Sequence, residues 1–184
     1  MSRQSNTVKL TGTAILAALV IVFDFALKYS GLKIPFPWYP SLKFDFTGIP
    51  IALSLFLYGF PSSITTSLVA GVGIVARSGN VISASMKVAA ELSTVIGLHL
   101  GRQLVKNGSR SKYISWGFGL GSRILVMTIV NLYVLPSVYN MPMEATIGLL
   151  PLIGVFNALQ GAITIGLGYF LYEAVRSRLP QWAA

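Results

Sequence analysis

The chemistry open to this chain is bounded first by what it lacks. Its 184 residues include five acidic side chains (Asp24, Asp45, Glu91, Glu144 and Glu173), a single histidine and no cysteine. A catalytic carboxylate pair, a histidine cluster or a nucleophile with its base needs more material than this. His99, set between Gly97 and Gly101, reads as a packed or interfacial side chain, because one histidine without nearby carboxylates assembles no metal site. The absence of cysteine removes disulfides, thiolate metal sites and cysteine nucleophiles. Gly117, Gly119 and Gly121 superficially match a dinucleotide-binding loop, but they open an apolar stretch and follow no strand. A Gly-x-x-x-x-Gly-Lys-Ser/Thr phosphate loop is also missing, so any use of ATP would have to come from partner chains. We expect no metal and no cofactor.

The informative groups are ionisable or amide side chains embedded in apolar sequence, where a charge is costly unless it meets a partner or a cavity. Lys87 and Glu91 are four apart and share one helical face. Arg123, on the next apolar stretch, is expected at a depth that Glu91 can reach. These three either form a buried ion network or contact a ligand, and Asp24 is open to the same two readings. Asn131, Asn157 and Gln160 offer donors and acceptors without charge, which suits a neutral heteroaromatic ligand bearing carbonyls and ring nitrogens. They could equally bond a neighbouring helix.

The elements that position these groups follow from composition. Hydrophobic residues make up 54% of the chain and charged residues 10%, against roughly a quarter charged in soluble domains. About 20 apolar residues cross a bilayer as a helix. The expected spans cover residues 10–27, 49–58, 64–76, 82–104, 114–135 and 147–174. The expected fold is therefore all-α, an integral membrane bundle of six transmembrane helices forming one domain over residues 1–184. The first apolar run lacks a small-residue cleavage site and reads as a span, not as a removed signal peptide. The second and third spans are short, so they are either tilted or extended by residues 46–50 and 61–63.

The net charge of +9 does not mark a nucleic-acid binder, because the basic residues flank the apolar runs. Placing both termini in the cytoplasm puts Arg3, Lys9, Arg102, Lys106, Arg110, Lys112, Arg176 and Arg178 inside, against Lys28, Lys33, Lys43 and Arg77 outside. The three lysines of the first loop run against that asymmetry. They are either tolerated or kept to attract an anionic ligand. The same loop carries Phe36, Trp38, Tyr39 and Phe44 among Pro35, Pro37 and Pro40, which suits a gate over an aromatic ligand. Thr11, Ala14 and Ala18, with Ala17 beside them, form a small-residue strip that either packs internally or receives another subunit.

Several of these segments resemble one family, the substrate-binding S components of energy-coupling factor (ECF) vitamin transporters. Ala14-x-x-x-Ala18 resembles the family's small-residue motif for docking on the transmembrane coupling subunit. The segment Leu42-Lys43-Phe44-Asp45-Phe46-Thr47-Gly48-Ile49-Pro50 resembles the first loop and second span of the riboflavin-binding members. Arg123-Ile124-Leu125-Val126-Met127 with Asn131, and Phe156-Asn157-Ala158-Leu159-Gln160-Gly161, resemble that subgroup's fifth and sixth spans, where asparagines contact the flavin. Two positions depart from the subgroup, which usually has Lys at the position of Gln160 and an acidic or polar residue at that of Gly48.

The resemblance implies a multi-pass protein of the cell membrane that captures a vitamin, riboflavin first, in an outward-facing pocket. Its ligand contacts would come from Lys43, Phe44, Asp45, Glu91, Asn131, Asn157 and Gln160. Its partners would be a coupling subunit docked on Ala14 and Ala18, two ATP-binding cassette ATPases and the lipid bilayer. Folate or pantothenate are alternative ligands. Rival classes are a membrane enzyme acting on lipid, with Glu91 or Asp45 as base, and an assembly subunit that binds no small molecule.

Overall fold

A computed structural model describes residues 5–105 and 111–178. Arg3, Lys106 and Arg110, counted above as topology signals, lie outside the described residues. The described residues fold as a helical membrane bundle of six helices: α1 (Asn6–Tyr29), α2 (Gly48–Tyr58), α3 (Phe60–Ser78), α4 (Val81–Leu104), α5 (Ser111–Tyr139) and α6 (Met143–Arg178). Of these, α1, α4, α5 and α6 are long and apolar enough to cross a membrane by length and composition alone.

Local chemistry sets the helix ends. Ser5 caps α1 by accepting a hydrogen bond from Val8 N–H at 3.3 Å, the usual role of a short polar side chain at that position. Between α2 and α3 the break is narrower than the sequence suggests. Gly59 alone, at φ 93°, turns the chain, and Pro61 then stands in the first turn of α3, where a missing N–H costs nothing. Residues 61–63 thus belong to α3 and 48–50 to α2. Gly79 ends α3 in the left-handed region, and Asn80 caps α4 by accepting from Ser83 N–H at 2.8 Å. Helices α5 and α6 outrun their expected limits, continuing through Pro136 and Pro151. Helix α5 closes only where Asn140 takes φ 50° and Met141 N–H bonds Leu135 O at 3.1 Å, a left-handed cap.

The short α2 is the centre of the bundle. It packs against α1, α3, α4 and α6, and every residue from Gly48 to Phe56 is buried. A helix apolar on all sides belongs in a core; at 1.5 Å per residue its length is only about 17 Å. Helices α4 and α5 approach most closely at glycines. A Cβ on Gly97 would collide with Phe118 O and lie 2.9 Å from Gly119 Cα, and one on Gly101 would lie 2.6 Å from Ser115 Cα. The expectation that Gly97 and Gly101 allow close helix contact matches this geometry. His99 stacks on the Phe60 ring at 4.3 Å and lies 3.0 Å from the Gln103 side chain.

The first loop holds regular structure that the sequence reading did not anticipate. Strands β1 (Ile34–Phe36) and β2 (Tyr39–Phe44) pair antiparallel, with an irregularity between Pro35 and Phe36. The hairpin sits over the end of the bundle where α1, α3 and α5 finish and α2, α4 and α6 begin.

Candidate functional site

Beneath the hairpin lies a cavity of about 580 Å³, within the range typical of small-molecule sites. Helix α5 supplies a stripe at every fourth residue: Arg123, Met127, Asn131, Leu135 and Tyr139 all line it. That spacing keeps one helical face toward the cavity. Helix α4 contributes Ser83, Met86, Lys87 and Ala90, and α6 contributes Phe156, Asn157 and Gln160. From the hairpin side come Tyr39, Ser41, Leu42, Lys43 and Asp45, and from the ends of α1 and α3 come Lys28 and Arg77.

Five of the seven expected ligand residues therefore share this cavity: Lys43, Asp45, Asn131, Asn157 and Gln160. The other two do not line it. Phe44 instead belongs to an aromatic cluster that seats the hairpin on α6, 5.0 Å from the Phe156 ring and 5.9 Å from that of Phe36. Phe36 is fully buried and packs on Phe156 at 5.6 Å. Among the four rings expected to cover a ligand, Tyr39 lines the cavity, whereas Trp38 is 67% exposed.

Glu91 lies behind the wall, 1% exposed. Its Oε1 stands 2.8 Å from Lys87 Nζ and 3.3 Å from Arg123 Nη1. Its Oε2 faces the start of α2, where a Cβ on Gly48 would lie 2.9 Å away and 2.5 Å from Thr164 Oγ1. Gly48 is thus the residue that lets the positive end of α2 come up to the carboxylate. Arg123 also donates to Thr94 Oγ1 at 3.1 Å and to Asn157 Oδ1 at 3.3 Å. The Lys87–Glu91–Arg123 group is a connected ion network, and its cations, not its carboxylate, reach the cavity.

Asp45 joins that network from the loop. Its Oδ1 accepts from Lys87 Nζ and from Thr47 Oγ1, each at 2.8 Å. Gln160 grips the backbone of the same residue from both sides: Nε2 donates to Asp45 O at 2.7 Å and Oε1 accepts from Asp45 N–H at 3.3 Å. Both polar atoms of Gln160 are engaged in holding the loop. Asn131 differs, donating Nδ2 to Met127 O at 2.7 Å while its carbonyl oxygen has no partner among the described residues. A second clamp holds the other arm of the loop, where buried Asp24 accepts from Lys33 at 2.8 Å and from Arg77 at 2.6 Å.

Burial pushes the Asp45 carboxyl up, but the Lys87 charge and the hydrogen bonds from Lys87 and Thr47 more than offset it and bring the pKa down to about 2. A carboxyl this acidic is a poor general base. A group held below its ordinary 3.8 adds stability above that pH, amounting to roughly 2 kcal/mol, and loses it as the pH falls toward 2. The melting difference between wild type and Asp45→Asn in detergent should accordingly be constant from neutral pH to pH 5 and shrink below about pH 4. An unchanged difference at pH 3 would show that the carboxylate does not fasten the loop.

Sequence reasoning missed Met127, Leu135 and Tyr139, although their four-residue spacing from Arg123 and Asn131 was present to be read. It also missed Lys33 and Arg77 as a pair, whose common partner Asp24 is remote in sequence. No group of three histidine or acidic side chains able to hold a metal occurs among the described residues.

Comparison with family models gives no match, and comparison with curated proteins gives none either. Among solved structures, three chains match. One is the S component of a bacterial ECF transporter, which superposes with a TM-score of 0.79 at 22% identity, over 95% of this chain and 99% of that one. The bundle described above is therefore the fold of that S component.

Proposed function

We propose that this chain is the membrane-embedded capture subunit of an ECF-type vitamin uptake transporter, with riboflavin as the first candidate ligand. Both chain ends would face the cytoplasm of a multi-pass cell-membrane protein. The chain would dock by the Ala14 and Ala18 face of α1 on a transmembrane coupling subunit driven by two ATPases, and would itself hydrolyse nothing. The observation that carries this reading is the cavity of about 580 Å³ under a tethered hairpin, on a fold shared with an S component. Its deep wall offers the Asn131 carbonyl beside apolar Met127, Leu135 and Phe156, with Asn157 next to it, held by Arg123 and by Ile153 O but keeping a second N–H, which suits a flat ring with a polar edge.

Protein purified in dodecyl maltoside from cells grown in rich medium should carry flavin absorbance in the visible, and its melting midpoint should rise with riboflavin. Asn157→Leu keeps volume but removes donor and acceptor, so riboflavin affinity should fall roughly 10- to 100-fold. Wild-type affinity in both Asn131→Leu and Asn157→Leu, with expression unchanged, would remove these residues from the site. A protein that carries no ligand and is stabilised by no vitamin would favour an assembly role instead.

A further inference from the structure

We infer that the ligand of this cavity carries an anionic group, a phosphate ester or a carboxylate, seated at the rim by Lys28 and Lys43 together with Lys33 and Arg77. This rests on the capture reading and moves its substrate class from uncharged riboflavin to an acidic relative such as the phosphate ester.

The inference comes from charge placement. Six cationic side chains line the cavity: Lys28, Lys33, Lys43, Arg77, Lys87 and Arg123. The carboxylates in ionic contact with them are three, Asp24, Asp45 and Glu91. The surplus is three positive charges. Moreover, these carboxylates are committed to the protein itself. Asp24 uses one oxygen on Lys33 and the other on Arg77, Glu91 does not line the cavity, and Asp45 already holds Lys87 and Thr47. A cationic ligand would find little to pair with and much to repel it.

The surplus is also localised. Lys87 and Arg123, deep in the wall, are balanced by Asp45 and Glu91. Lys28 and Lys43, both exposed at the rim, make no ion pair among the described residues. The cavity thus has a neutral floor and a positive mouth, which together fit an uncharged ring bearing a negatively charged tail. A mouth of one sign flanked by low-dielectric walls concentrates the opposite charge. In the proposed orientation these lysines sit outside, where the positive-inside tendency disfavours them, so topology does not account for them.

Riboflavin and flavin mononucleotide share a ring and differ by one phosphate ester, which isolates the tail. Titrated into the full chain in dodecyl maltoside at low salt, flavin mononucleotide should bind about tenfold tighter than riboflavin, the advantage shrinking at high salt as charges are screened. In a Lys28→Gln/Lys43→Gln variant the affinity ratio of the two flavins should fall about tenfold toward unity. Equal affinities, a salt-independent ratio, or tighter binding of cationic thiamine would overturn the inference.

Binding of neither flavin would refute the riboflavin reading, and a second probe then decides the charge question. Inorganic pyrophosphate should raise the melting midpoint of wild type and not of the double variant, and no shift in wild type would sink the inference. If phosphatidylglycerol added to the detergent reproduces the pyrophosphate shift and abolishes any further one, the rim is a lipid headgroup seat, and the inference fails.

Discussion

Ala18→Trp should abolish vitamin uptake by whole cells while leaving ligand affinity of the purified protein nearly unchanged. Helix α1 turns Gly12, Thr13, Leu16, Ala17 and Val20 inward, and presents Thr11, Ala14 and Ala18 on its exposed side. The small-residue strip is therefore not spent on packing within the bundle; only Ala17 is. A flat face of this kind lets a second helix approach closely, and an indole placed on it would hold the two backbones apart. The cavity lies at the far end of α1, where Lys28 contributes, so the ring should not disturb the ligand. Ala14→Trp should behave alike. Co-purification of the coupling subunit with the variant, together with normal uptake, would show that docking uses another face; parallel loss of binding would show that the substitution damages the bundle itself.

Glu91→Leu should lower the melting midpoint more than any cavity-lining substitution named here. The carboxylate is almost fully buried between Lys87 and Arg123, and its removal leaves two cations facing each other in a low-dielectric wall with Asp45 as the remaining counter-charge. Breaking a buried ion group by deleting one member typically costs about 3 to 5 kcal/mol. The sign of that cost can be separated from loss of packing, because Glu91→Leu combined with Arg123→Leu removes the excess charge and should recover part of the stability. A single variant that melts like wild type, or a double variant worse than the sum of the singles, would show that the network does not stabilise the wall.

The ion network was legible because its geometry is local: Lys87 and Glu91 are one helical turn apart, and Arg123 lies on the helix that follows. The bundle was legible because apolar runs long enough to cross a bilayer leave few other folds. What escaped was set by contacts remote in sequence or by backbone details. Pro35, Pro37 and Pro40 mark the first loop as irregular, yet prolines are tolerated where a strand lies at an edge, as both strands of a two-stranded hairpin do. The rings of Phe36, Trp38, Tyr39 and Phe44 among stiff prolines suit a gate over an aromatic ligand, and the resemblance makes Phe44 a ligand contact. Packing instead commits Phe36 and Phe44 to Phe156, a partner on the last helix. Gln160 reads as a ligand group because an amide offers a donor and an acceptor without charge; both of these also bond the backbone of Asp45, 115 positions earlier.

That separation bears on how the molecule is made. The hairpin, Asp45 and the start of α2 leave the ribosome early, while Phe156, which packs on Phe36 and Phe44, Gln160, which bonds Asp45, and Gly168, where a Cβ would press on Ala52, come later on α6. Until α6 is synthesised, the short central helix has one flank open, and the loop above it has neither its backbone clamp nor its aromatic seat. A nascent chain halted after α5 lacks the wall of the cavity that Phe156, Asn157 and Gln160 supply. The cavity thus closes only once α6 has joined the bundle.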